Sequence, residues 1–87
     1  MHEQSLMDDL MRKIMNVAQE HNASRVKSLT VRLGALTHFS EEHFTEHFVH
    51  ASRGSLAEGA DLEIHISDDI REPHAQDILL ESVQVET

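Results

Sequence analysis

Apolar residues change their period along this chain, and each change marks an element. The spacing predicts an amphipathic helix over 5–21, with Leu6, Leu10, Ile14 and Val17 on one face and Met7, Met11 and Ala18 beside them. Ser5 is the expected N-cap, with Asp8 three residues on and Asp9 near the positive helix end. Asn22 is the expected stop. The period then drops to two. Over 26–36, Leu29, Val31, Leu33 and Ala35 alternate with Ser28, Thr30, Arg32 and Gly34, which predicts a strand with one buried face. Gly34 has no side chain to pack and is expected to mark a bulge. Ser40 caps a second helix over 41–52, with Phe39 and Phe44 as a hydrophobic staple and Phe44, Phe48 and Ala51 as its buried stripe. Gly54 closes it. A short strand follows at 61–66, with Leu62, Ile64 and Ile66 on one face. Residues 67–76 are polar, contain the only proline, and read as a connecting loop. The last strand, 77–86, slips phase between the pair Ile78 and Leu80 and the pair Val83 and Val85. A bulge near Glu81-Ser82 would keep both pairs facing the core.

The order is helix, strand, helix, strand, strand, an α+β arrangement. Two amphipathic helices must cover one face of a small, one-sided sheet to bury a core. At 87 residues this is one domain, near the lower size limit for standing alone. Sixteen acidic residues against seven basic ones give a formal charge of −9, which argues against nucleic acid and against an anionic membrane surface as partners. There is no cysteine, so disulfides and thiolate metal sites are excluded. No apolar run approaches the roughly 20 residues that span a bilayer, and the start lacks the features of a secretion signal, so a cytoplasmic protein is expected. No Gly-rich phosphate loop, nucleophile context or carboxylate pair is recognisable. The chain reads as a binding module, not an enzyme.

Eight histidines are the compositional oddity, and they direct attention to metals. If Met1 is the true N-terminus, Met1-His2-Glu3 offers a free α-amine, the His2 amide and the His2 imidazole. These nitrogens close two fused chelate rings on one ion, a donor set that suits Ni(II) or Cu(II) better than tetrahedral Zn(II). The Glu3 amide, the Glu3 carboxylate or a distant histidine is left to fill the fourth corner; the plain alternative is a solvated terminal residue. His43, His47 and His50, at i, i+4 and i+7, share a second stripe of the second helix, either a metal site or a polar boundary face. The methionines of the first helix are read as core filler rather than as Cu(I) ligands.

Several segments together resemble the HypA/HybF proteins, the nickel-incorporation factors of hydrogenase and urease maturation. Met1-His2-Glu3-Gln4-Ser5-Leu6 is similar to their opening and Val31-Arg32-Leu33-Gly34-Ala35-Leu36 to their first strand. Residues 53–64 resemble their second-helix exit and second strand, and residues 80–86 their final strand. The resemblance implies two helices on a three-stranded mixed sheet. It implies that His2 is the essential nickel ligand, with the Met1 amine and backbone nitrogens beside it. It also implies delivery of nickel with a GTPase partner, HypB, at the hydrogenase large subunit. The family inserts a zinc domain with two Cys-x-x-Cys pairs before the last strand. Here only loop 67–76 stands in that place, without cysteine, so a single nickel-binding domain over 1–87 with no zinc site is expected. Either this is a natural zinc-free relative or the insert has been cut out. Some family members complete the nickel site with a histidine from near the zinc domain; His74, and after it His65, occupy that region here.

Three readings compete. The first is a nickel metallochaperone without enzymatic activity. The second is a zinc-free interaction module that regulates the maturation machinery without delivering metal. The third is a metal-sensing or storage protein using His43, His47 and His50, which predicts more than one ion per chain. Monomer and homodimer both stay open, since an exposed sheet edge invites pairing.

Overall fold

The computed structural model describes residues 3–87, with Glu3 as backbone only. The elements are α1 (Glu3–Glu20), β1 (Arg25–Leu33), α2 (Glu41–Ser52), β2 (Asp61–Ile66) and β3 (Ile78–Glu86). The sheet order is β2-β1-β3, with β1 parallel to β2 and antiparallel to β3. This is the mixed sheet of the expected α+β class.

Helix α1 ends where the sequence places its stop. Asn22 takes a left-handed φ of 51°. Ala23 N–H donates to Ala18 O at 2.9 Å and Asn22 N–H to Gln19 O at 3.1 Å, the paired bonds of a Schellman ending. The start differs from expectation. The helix already runs through Ser5, which is exposed within it and does not cap it. Asp8 accepts a bond from Gln4 Nε2 at 2.8 Å instead of joining a capping box. Helix α2 follows its signals throughout. The Ser40 side chain accepts the His43 N–H at 3.0 Å, and Phe39 and Phe44 meet edge to face with centroids 5.7 Å apart. Gly54, at φ 79°, turns the chain out of the helix.

The central strand explains the core. Val26, Leu29, Val31 and Leu33 of β1 are buried, and Leu6, Met7, Leu10, Ile14 and Ala18 of α1 and Phe44 and Phe48 of α2 pack with them. A strict period of two would turn Val26 away from Leu29. The pairing with β3 shifts between Val26 and Ser28, which brings both to one face. The second shift falls between the pairs Thr30↔Ser82 and Val31↔Leu80, leaving Glu81 as the extra residue of β3. The bulge therefore sits where the phase slip predicts, and Leu80, Val83 and Val85 all pack against the core.

Strand β1 stops at Leu33, three residues short of the expected end, and neither bulge involves Gly34. The cause is tertiary. A Cβ built at Gly34 would lie 2.3 Å from the carbonyl oxygen of Ala75 and 2.6 Å from that of His74. Loop 67–77 crosses Gly34 backbone to backbone, secured by Gly34 N–H to Asp77 O at 3.0 Å and Leu36 N–H to Ala75 O at 2.7 Å. The loop is therefore docked on the sheet end, not free. Ile66 also departs from expectation: it is 53% exposed at the end of β2.

Replacing Gly34 with alanine is expected to cost about 2 kcal/mol or more, since the obstructing atoms are backbone and must move as a unit. Urea denaturation measures this loss, and a stability equal to that of the parent protein would contradict the close approach.

Candidate metal centre

The first described turn of α1 lies where three hollows meet its residues. Gln4 lines one with Glu46, His47 and His50 of α2. Leu6 lines a second with Leu36, Thr37, His38 and Gln76. Leu6 also lines a third with Asp9, Lys13, His74 and Asp77. Imidazoles from α2, from the turn before α2 and from loop 67–77 thus gather around the start of α1. They come from separate stretches of chain, and packing of α1 against α2 and β3 brings those stretches together.

Each histidine is held differently. His43 and His47 are partly buried on α2 with ring centroids 4.7 Å apart, and both rings meet the edge of Phe39, at 5.5 and 5.9 Å. Each also has a further bonded or ring contact. His50 is exposed one turn on. His74 Nδ1 lies 3.0 Å from Asp77 Oδ2. His65 is on the open face of the sheet, with Nδ1 3.1 Å from Glu81 Oε1, so the sheet separates it from α1. The sequence reading overlooked His38. It has a left-handed φ of 61°, and Thr37 beside it is buried and donates to Gly34 O at 2.9 Å. Its only sequence signal is its place just before the Phe39-Ser40 cap.

Met1 and His2 lie outside the described residues, as does the Glu3 side chain. Among the described residues no three His, Cys, Asp or Glu side chains come together as a group able to hold a metal ion. His43, His47 and His50 do not make a trio.

Two nearby carboxylates, Asp9 and Glu72, are paired with cations. Asp9 pairs with Arg12 and with Lys13 Nζ at 2.9 Å, and the hydrogen bond from Lys13 holds its carboxyl below the ordinary value. In the loop, Ser67 Oγ donates to Glu72 Oε2 at 2.6 Å, and Arg32 Nε donates to Glu72 Oε1 at 3.1 Å. The Ser67 bond first and the Arg32 bond second lower the Glu72 carboxyl from its ordinary 4.5.

With this geometry in view, likeness to known proteins becomes informative. The family model described as hydrogenase/urease nickel incorporation, metallochaperone, HypA, matches residues 1–71. The chain belongs to the HypA family. The hydrogenase maturation factor HypA of Archaeoglobus fulgidus is 40% identical over 66 residues, covering 76% of this chain and 60% of the relative. Its namesake from Methylocella silvestris is 38% identical over 66 residues, covering 76% and 58%. The chain therefore spans three fifths or less of the length of these HypA relatives. The HypA match ends at residue 71, inside the docked loop. The solution structure of the nickel metallochaperone HypA from Helicobacter pylori superposes with a TM-score of 0.80 over 99% of this chain and 98% of that one. At 16% identity this likeness concerns the fold, and it extends past residue 71 through β3.

The lowered Glu72 value gives a pH prediction. A carboxyl whose folded value is depressed stabilises the fold above the ordinary range and loses that contribution as pH falls through the depressed value. Acidification below pH 4.5 should therefore loosen the Ser67–Glu72–Arg32 contacts before the core melts. Amide shifts of Ser67 and Asp69 in an NMR acid titration should move first, and Glu72→Gln should abolish that early step. An unaltered early step in the variant would refute the assignment.

Proposed function

We propose that this chain binds Ni(II) as cargo through the nitrogens of Met1, His2 and Glu3 and delivers it during maturation of a nickel enzyme. One observation carries the reading: this HypA-family sequence contains Met1-His2-Glu3, which with Met1 as the chain start offers the amine, amide and imidazole of a two-ring nitrogen chelate. The protein holds and passes on a metal ion and transforms no substrate. The histidines around the start of α1 support the reading, since a donor set with an open corner needs a neighbour. His74 is the candidate fourth ligand from the loop; His38 and His47 line the other hollows at that end.

The single domain 1–87 is read as the nickel-binding part of the family's design, with loop 67–77 where longer members carry a zinc domain. No zinc site is assigned. A HypB-like GTPase and the hydrogenase large subunit are the partners this reading implies. Among the described residues no helix is long and apolar enough to cross a membrane. The second reading, an interaction module without metal delivery, is favoured by Leu36, Ile66 and Ile70, which are 38, 53 and 65% exposed.

Calorimetric titration of native-start protein with Ni(II) separates the two. His2→Ala should weaken the tight site at least 100-fold while far-UV circular dichroism stays unchanged. A peptide extension ahead of Met1 should do the same, because it removes the amine. Equal affinity in both altered proteins would refute the chain-start site and leave the interaction module.

A further inference from the structure

The sheet has two outer edges, and they differ. β3 carries a bulge at Glu81, which interrupts the row of backbone groups that another strand would bind. β2 has no interruption: its register with β1 advances one residue at a time from Asp61 to Ile66. One bond fixes where its groups point. Ser67 N–H donates to Leu33 O at 2.9 Å, so the backbone groups of residue 67 face β1, and by alternation those of His65, Glu63 and Asp61 do too. The N–H and C=O groups of Leu62, Ile64 and Ile66 therefore point away from the sheet. Among the described residues no backbone group bonds to them.

The side chains of this edge are sorted by face. On the covered side Ile66 is 53% exposed, and Val49 of α2, which borders the same hollow as Leu62 and Ile64, is 54% exposed. On the open side Glu63 accepts from Thr30 Oγ1 and His65 lies beside Glu81, and both are exposed. Opposite residues of an antiparallel pair share a face, so a second copy of β2 must align Leu62, Ile64 and Ile66 with one another. Charge selects the register. The chain carries −9, so self-association already works against net repulsion. A two-fold axis at Glu63 would set two Glu63 carboxylates face to face, and an axis at Leu62 would set Asp61 against Glu63. An axis at His65 would carry Leu62 past the end of the other strand. An axis at Ile64 sets Glu63 against the imidazole of His65, Leu62 against Ile66, and Ile64 against itself. In that register the outward-pointing residues form the hydrogen-bonded pairs, and the exposed Ile66 gains an apolar neighbour.

We propose that two copies of this chain join edge to edge through antiparallel β2 strands, with the two-fold axis at Ile64 and Glu63 facing the partner's His65. One continuous sheet then crosses both copies. The surface is a property of the scaffold, so it depends on neither reading of metal delivery.

Sedimentation velocity on metal-free, full-length protein should show a dimer whose share grows with concentration. His65→Glu opposes carboxylates at both symmetry-related positions and should raise the dissociation constant roughly tenfold or more; adding Glu63→Lys should restore it. Ile66→Pro removes one outward N–H, leaves the β1 ladder intact and should weaken the dimer as much. In a mixture of isotope-labelled and unlabelled protein, an NOE should join Glu63 Hα to Hα of the partner's His65, the close contact of a non-hydrogen-bonded pair. A monomer mass up to about 1 mM, an unchanged dissociation constant for His65→Glu, or intermolecular contacts centred on another residue would overturn the proposal. His65 is exposed, so its substitution decides the matter even if the proline disturbs β2.

Discussion

Single-sided burial over β1 is the constraint on which the molecule depends. The sheet has three strands and only one covered face, so every apolar residue of the central strand must point the same way. A strand with strict alternation cannot achieve this over nine residues whose apolar positions are 26, 29, 31 and 33. The two register shifts solve it, one on β1 and one on β3. Both helices then have a continuous surface to lie on, and their own packing follows. The opposite face stays polar: Thr30 donates to Glu63 at 3.2 Å, Arg32 binds Glu72, and His65 meets Glu81. A small domain has little area with which to stabilise itself, so a misplaced apolar pair would cost a large share of its stability.

Features governed by neighbours in sequence were legible. The phase slip of β3 announced its bulge because side-chain period is a local property of a strand. Asn22 announced the end of α1, and Phe39-Ser40 the start of α2, because capping satisfies backbone groups within one turn. Features set by distant contacts were hidden. Gly34 looked like a bulge residue, but its hydrogen atom is required by Ala75, which lies 41 positions later. Ile66 looked buried by alternation, but alternation sets the face a side chain takes and not whether anything covers it there. Ser5 looked like a cap because it precedes the first apolar residue; α1 nevertheless runs through it.

The candidate site divides along the same line. The chelating character of Met1-His2-Glu3 is legible because its donors are consecutive. The gathering of His38, of the α2 pair His47 and His50, and of His74 at the start of α1 is not, since these three segments are united only by packing. His65 illustrates the converse. It is close to His74 in sequence, yet β2 turns it to the open face and a carboxylate holds it there.

The separation of scaffold from donors has a functional consequence. Among the described residues the buried cluster contains no histidine; it is built from Leu, Met, Ile, Val, Ala and Phe. The described imidazoles are partly or fully exposed, on a helix face, on β2 and in turns and loops, so an ion bound beside them as proposed would not have to disturb the core. A protein that must release its metal to another benefits from this arrangement. Ligands embedded in the core would couple each release to partial unfolding, and the ion would then be held by the full stability of the domain. Donors outside the core keep the free energy of holding metal separate from that of folding. On the proposed nickel-delivery reading, release would be governed by ligand exchange at the surface, where a competing donor set can reach the ion.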